Sequence, residues 1–506
     1  MSRTINSLRN TIGTFGVQMI NTIMKFFCRT VFIYTLGKEF LGISGLYTNV
    51  LTILSITELG FSSVITYSLY SPLAEKNYEL IRNLMFFYKK VYRWVGVAIL
   101  GFGLLLMPFL PSLMNGVTDQ IDIYQYYLLY LLQTVVSYFF FAYKSTLLIA
   151  DQKKYVTDIV ACACQIGVNL LQMLSLILWK SFFIYTFLGI GMGILQNLWT
   201  SVIVDKRYPY LKGKAKSLPA EIKKDLFVRA YATFLQRIST AVGTATDNLI
   251  ISAFISVTAV GLYSNYSMIV STIQGFLGNG FKSLTASLGN LYATESKERS
   301  YQVFKSLNVM NQYLVCVSSV CFLSMLQPFI VLWAGQEYLL DEVTLIIIVL
   351  NFATNYLQNL VLIYRNATGL FVVGKYRSVA NAILNLVLSL WLVKGYGMNG
   401  VFLGSIISRL VTNWWYDAWV LHRKGFGKSP FPYYGSCGVC LGMIFVLYGV
   451  IQWIFKDVSG ISWGVLLLKG WCSILLSTML YFIFYRGSKE EKFWKTKIKQ
   501  ILRRKG

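Results

Sequence analysis

Residues 11–36 read TIGTFGVQMINTIMKFFCRTVFIYTL, a stretch long and apolar enough to cross a bilayer, yet it carries Lys25 and Arg29. About 20 helical residues span the roughly 30 Å hydrocarbon core. A basic side chain placed mid-helix costs about 2.5–3.5 kcal/mol on insertion scales, so it turns toward a bundle interior or a wet cavity. Gln18, Asn21, Lys25 and Arg29 are spaced to share one helical face. That face cannot be a lipid face.

The same pattern runs through the chain. With 506 residues, 56% hydrophobic, 13% charged and mean hydropathy +0.56, the composition is that of an all-α polytopic membrane protein. Fourteen apolar windows read as spans: 11–36, 41–70, 90–113, 123–149, 156–179, 182–204, 228–255, 259–289, 303–334, 343–372, 377–394, 398–421, 435–455 and 461–485. Alternate loops assigned to one side hold most of the 46 Lys and Arg, chiefly in 72–93, in 205–229 and after Tyr485. The positive-inside rule places both termini in the cytoplasm. This distribution accounts for the net charge of +25 without nucleic acid. The outer loops, which hold Asp119, Asp122, Glu337, Asp341 and Glu342, are too short for a catalytic domain, so the chain does not read as an enzyme. The first span, with its internal charges and no small-residue cleavage site, reads as a permanent helix rather than a signal peptide.

Short segments recur in order. Gly45-Leu46-Tyr47-Thr48-Asn49 returns as Gly261-Leu262-Tyr263-Ser264-Asn265, and Pro108-Phe109 as Pro328-Phe329. Tyr143-Lys144 and Lys154-Tyr155 return as Tyr364-Arg365 and Lys375-Tyr376. A repeat of six spans keeps its sense across the bilayer, as in transporters built from two parallel lobes around a central cavity. The expected organisation is an N-terminal six-helix lobe (1–204), a basic cytoplasmic linker (205–227), a second six-helix lobe (228–432), two extra spans (433–485) and a basic amphipathic tail (486–506) lying on the anionic inner leaflet.

Further basic residues fall inside the spans: Lys144, Arg237, Lys282, Arg365 and Arg409, against the acids Glu58, Asp247 and Asp417. A cavity lined by such cations is a site for anions. Lys144, Lys282 and Arg365 lie near the cytoplasmic ends of their helices, where long side chains can also snorkel to the headgroups. Lys25, Arg29 and Arg409 lie deeper, and Arg237 is intermediate. Glu58 and Asp247 suit ion coupling or pairing, and Asp417 suits a salt bridge. Polar stripes accompany the charges: Asn49, Thr52, Ser55, Ser62 and Thr66 in the second window; Thr240 and Thr244 beside Arg237; Asn265, Thr272 and Asn279 leading to Lys282.

The run LGKEFLGISGLYTNVLTILSITELGFSSVITYSLYSPLAEKN (36–77) and the later ADQKKY (150–155) resemble Wzx-type polysaccharide flippases. That superfamily of multidrug, oligosaccharidyl-lipid and polysaccharide exporters also holds the lipid II flippases and the multidrug antiporters. The resemblance implies two pseudo-symmetric six-helix lobes in a V and alternating access in a bacterial plasma membrane. It also implies export of undecaprenyl-diphosphate-linked oligosaccharide to the outer leaflet for surface polysaccharide such as O-antigen or capsule. Lys25 and Arg29 match the cationic residues that hold the diphosphate in such families. H+ or Na+ would be the coupling ion, and a polysaccharide polymerase with chain-length machinery would act downstream. This chain's two extra spans depart from the commoner twelve-span pattern and resemble the tail-binding pair of lipid II flippases. A multidrug or cation antiporter of the same fold is the rival reading, but it calls for an acidic cavity. No cofactor or metal is called for: His422 is the only histidine. Cys437-Gly438-Val439-Cys440 sits in an apolar span, where packing accounts for it. Gly278-Asn279-Gly280 marks either a kink or a close helix approach.

Overall fold

The computed structural model describes residues 3–118, 121–282, 284–370, 373–374, 376–458, 460–488 and 491, with the side chains of all but 3–15, 56–60, 232–233, 235–244 and 286. The expected tail helix after Lys489 lies outside these residues, as does Lys375. Every regular element among the described residues is helical. The chain divides into two compact units, Met1–Gly261 and Leu262–Gly506.

The N-terminal unit comprises α1 (Arg3–Leu54), α2 (Ile56–Ala74), α3 (Tyr78–Leu106), α4 (Leu110–Leu113), α5 (Ile123–Phe139), α6 (Ser145–Ala150), α7 (Lys154–Trp179), α8 (Phe182–Arg207) and α9 (Ala220–Phe254). The division falls within α10 (Val257–Lys282), which is followed by α11 (Thr285–Thr294), α12 (Lys297–Trp333), α13 (Glu342–Ala367), α14 (Arg377–Arg409), α15 (Trp415–Val420), α16 (Phe431–Ile454) and α17 (Trp463–Phe484). Among the described residues eight helices, or nine with the bent α5–α6 pair counted as one span, are long and apolar enough to cross a membrane. The helices outside that group include α1, α2, α9 and α10, which carry the polar stripes.

Two loops expected between separate spans are single glycines. α1 runs through the expected 37–40 turn and bends at Gly37 (φ 77°), and α14 runs through 395–397 and bends at Gly397 (φ 55°). Both angles lie in the left-handed region that only glycine occupies without strain. Conversely, the 123–149 window breaks: Phe141 takes φ 59° and the helix turns by 50° into the next segment. Of the 205–227 stretch, 208–219 joins α8 to α9 as a docked strap. The Tyr208 hydroxyl donates to Asp151 (2.6 Å), Tyr210 stacks near Tyr78 (4.5 Å), and the Lys216 amide donates to the Asn83 side chain (2.8 Å). Burial pushes the Tyr210 phenol up to about 12, and burial with the Asp151 carboxylate pushes Tyr208 higher still.

The core of the N-terminal unit is aromatic. Phe32 and Tyr130 meet the Phe182 ring at 5.8 and 6.2 Å, and Tyr185 lies 5.1 Å from Phe32. In the C-terminal unit Phe304 plays this part between Tyr364 (5.1 Å) and His422 (5.3 Å). α16 and α17 both lie along α12, joined by small and polar groups of the kind that hold membrane helices together. Gln312 donates to Ser436 (2.8 Å), Tyr313 and Thr478 share a hydrogen bond (2.9 Å), and Gly470 meets Met325. Cys437 and Cys440 both contact Gln312, as packed thiols. Gly278 lies inside a continuous α10, and a Cβ there would come within 2.8 Å of the Tyr356 hydroxyl, so close approach explains it.

The first echo marks a backbone crossing. A Cβ on Gly42 would fall 2.0 Å from the Val257 carbonyl oxygen, and one on Gly261 would fall 2.2 Å from the Lys38 oxygen. Because backbone rather than a flexible tip is the obstacle, Gly261→Ala is expected to cost about 1–3 kcal/mol. A thermal-inactivation series in detergent would show this, with Gly280→Ala, where nothing lies within 4 Å, as the silent control.

Candidate functional site

α1 presents the polar face expected of it. Lys25 is exposed, while Gln18, Asn21 and Arg29 are half-buried and Cys28, one step round the helix from Arg29, is buried. The helix is anchored there by α7 and α8. The Cys28 thiol approaches Gln172 (4.0 Å), whose amide donates to the Tyr185 carbonyl (2.9 Å), and Tyr130 donates to Ser44 (2.7 Å). Arg29 lies within electrostatic reach of Cys28, Tyr130 and Tyr185. The guanidinium is thus rooted in a polar patch inside the unit, and the Lys25 ammonium stands one turn further along, in the open. Arg is suited to the first position because its planar fork is pre-organised; Lys is suited to the second as a mobile point charge. Basic groups of these two kinds can make charge-assisted hydrogen bonds to an anion.

The other candidates divide by what holds them. Lys144 donates to Ser201 (2.8 Å) and to both oxygens of Asp205 (2.7 Å) and lies 4.9 Å over the Phe141 ring. Arg365 is 1% exposed and forms an ion pair with Asp417, which Arg377 shares, while Gln358 donates to the second Asp417 oxygen (2.6 Å). Arg365 also donates to the carbonyls of Leu370 (2.9 Å) and Val373 (2.6 Å), clamping the turn after α13. Arg409 donates to the Asn351 carbonyl (3.1 Å) and Thr354 hydroxyl (3.2 Å), tying α14 to α13. Lys282 is exposed at the end of α10, and Asp247 is buried on α9. The Arg237 and Glu58 side chains lie outside those described.

The Lys144–Asp205 and Arg365–Asp417 pairs occupy equivalent places in the two units, each on a basic residue that follows the echoed tyrosine. Lys144 and Arg365 stand out in the sequence by their apolar surroundings. Asp205 did not, because it falls one residue beyond its window, and Arg377 hid at the start of another. The hydroxyl of Tyr47 donates to the Ile123 carbonyl (2.6 Å) at the start of α5. Its counterpart is Tyr266, which donates to Gln327 (2.8 Å) and accepts from the Leu340 amide (3.2 Å), whereas Tyr263 packs on Phe402 (4.7 Å). The second half of the first echo is therefore displaced by one helical turn. Lys469, near the start of α17, is a further basic residue within a span and lies 5.5 Å over the Phe455 ring.

The family and the fold of this helical chain follow from comparison with known proteins. The model of the family described as "Polysaccharide biosynthesis protein" matches residues 7–282. The chain belongs to that family. No curated protein matches the sequence. Among solved structures, the lipid II flippase MurJ in an inward closed conformation is similar with a TM-score of 0.67 at 15% identity, covering 94% of this chain and 98% of that one. An inward-facing multidrug resistance MATE family transporter of the MOP superfamily gives 0.58 at 14% identity, covering 79% and 95%. A MOP superfamily transporter from Pyrococcus furiosus, whose binding pocket is described as having reverse polarity, gives 0.52 at 13%, covering 80% and 92%. At these identities the likeness is one of fold, and that fold is the polytopic one shared by flippases and MATE transporters.

Proposed function

We propose that the protein is a flippase that moves undecaprenyl-diphosphate-linked oligosaccharide repeat units from the inner to the outer leaflet by alternating access, for surface polysaccharide synthesis. The observation that carries this reading is the Lys25 and Arg29 face of α1, exposed to half-buried and flanked by Gln18 and Asn21. A diphosphate cannot enter hydrocarbon with its charges uncompensated, and two basic groups one helical turn apart can meet it with charge-assisted hydrogen bonds. Arg237, Lys282 and Arg409 are secondary ligands. Lys144 and Arg365 serve their own units first, through Asp205 and Asp417. Glu58 or Asp247 is the site for a coupling H+ or Na+. Helices α16 and α17 provide an apolar surface for the polyprenyl tail, with Val446, Leu467, Leu468 and Leu475 all more than half exposed. The protein is not an enzyme. It resides in the bacterial plasma membrane with both termini cytoplasmic and hands its product to a polymerase.

The test is transport by the purified protein in proteoliposomes, with a fluorescent polyprenyl-diphosphate oligosaccharide in one arm and a soluble organic cation in the other. Movement of the glycolipid supports the flippase; efflux of the cation with no glycolipid movement would assign the protein to the antiporter class instead.

A further inference from the structure

The two equivalent ion pairs have diverged. In the C-terminal unit the helix that carries Arg365 is unbroken, and the Arg365 and Asp417 side chains are 2% and 0% exposed. In the N-terminal unit the helix breaks just before Lys144, and Lys144 and Asp205 remain 12% and 35% exposed. A bulky residue such as Phe141 in the left-handed region is costly and persists where the surroundings or a function require it. The break aims Lys144 at α8 and opens the pair to the surface.

Two further cations converge there. Lys89 on α3 lies within electrostatic reach of both Arg93 and Lys144, and Arg93 within reach of Tyr143. Among the described residues neither Lys89 nor Arg93 forms an ion pair, and the Asp205 carboxylate is engaged by Lys144. Like charges gathered in a partly desolvated place repel one another, and an anion offsets that cost.

The level of the cluster identifies the anion. From Trp94 to Leu113 the chain has no charged residue, and these twenty residues match the length of a bilayer core. Lys89 and Arg93 therefore stand at its boundary, where lipid phosphates lie. Trp94 is 74% exposed, as an interfacial anchor is, and Phe86 is 39% exposed with Lys90 4.7 Å over its ring.

We propose that Lys89, Arg93 and Lys144 form a binding site for the phosphate of an anionic membrane phospholipid, with Trp94 against its glycerol and upper acyl region. Asp205 balances Lys144 when the site is empty. A zwitterionic lipid carries its own cation into the cluster and binds less well. A free phosphate lacks the tail that Trp94 meets. The site is built on α3, the α5–α6 break and α8, and its residues are separate from the α1 pair assigned to transport.

Native mass spectrometry of the delipidated full-length protein, titrated with phosphatidylglycerol, phosphatidylcholine or inorganic phosphate, tests this. Wild type is expected to retain phosphatidylglycerol in preference to phosphatidylcholine. Retention should fall about 10- to 30-fold in Lys89→Gln/Arg93→Gln, which removes two interfacial charges. Lys89→Arg/Arg93→Lys should restore it with the same melting transition, separating loss of charge from loss of fold. Lys25→Ala/Arg29→Ala should leave it unchanged, whatever that variant does to transport. Equal retention of the two lipids, full retention by the Gln variant, loss in the α1 variant, or displacement by millimolar inorganic phosphate would each overturn the proposal.

Discussion

Asp417→Ala is expected to be the most destabilising single substitution at any charged residue of the C-terminal unit. The Asp417 side chain is fully buried and takes two guanidinium groups, and the Arg365 side chain is buried with it. Removing the carboxylate leaves a buried positive charge held only by the carbonyls of Leu370 and Val373. Breaking one side of a buried pair in this way costs about 3–5 kcal/mol. The equivalent substitution in the N-terminal unit, Asp205→Ala, should cost much less, because a third of that side chain is exposed and solvent screens what remains. Heating purified variants in detergent and following monodisperse protein by size-exclusion chromatography would rank them. The ranking should place Asp417→Ala far below Asp205→Ala, with Arg365→Met/Asp417→Leu recovering part of the loss, since a well-packed apolar pair avoids the buried charge. Equal losses at the two aspartates would show that Arg365 finds water or another anion.

The second large effect concerns function rather than folding. Lys25→Ala/Arg29→Ala removes two charge-assisted contacts from the proposed diphosphate site. At about 1.5–3 kcal/mol each, with 1.4 kcal/mol per decade, their loss should slow glycolipid transport by about 100- to 10,000-fold. Stability should change little at Lys25, which is exposed, and more at Arg29, which contributes to the polar patch with Cys28, Tyr130 and Tyr185. Single variants would separate the two. Lys25→Ala is expected to keep the wild-type melting transition and still lose most of the transport, because its ammonium is the group free to follow a moving anion.

Much of this architecture could be read from patterning alone, and the exceptions have physical causes. Apolar windows located the helices because membrane spans must satisfy their backbone internally and bury few charges. They did not show that the turns at Gly37 and Gly397 shrink to one residue, since a glycine inside an apolar run gives no hint of its φ. Nor did they show the break at Phe141: nothing in YFFFAYK distinguishes a left-handed phenylalanine from a helical one. Lys144 and Arg365 were legible as charges out of place. Asp417 was legible too, as a salt-bridge acid inside its span, whereas Asp205 was not, because it lies one residue beyond its window and at a different distance along its repeat. The basic stretch 205–227 read as a linker from its lysines, whereas Tyr208, Tyr210 and the Lys216 amide fasten its 208–219 part to the unit. The helical spacing of Gln18, Asn21, Lys25 and Arg29 was legible because α1 is one continuous helix through these positions.

The central claim, that the α1 cations hold a lipid-linked diphosphate during transport, is tested most directly by one assay. It compares the initial rate of undecaprenyl-diphosphate-oligosaccharide translocation by wild type and by Lys25→Ala/Arg29→Ala in proteoliposomes matched for folded protein, under an imposed ion gradient. A wild-type rate that falls at least a hundredfold in the double variant is the predicted result. Undiminished translocation by the double variant would contradict it.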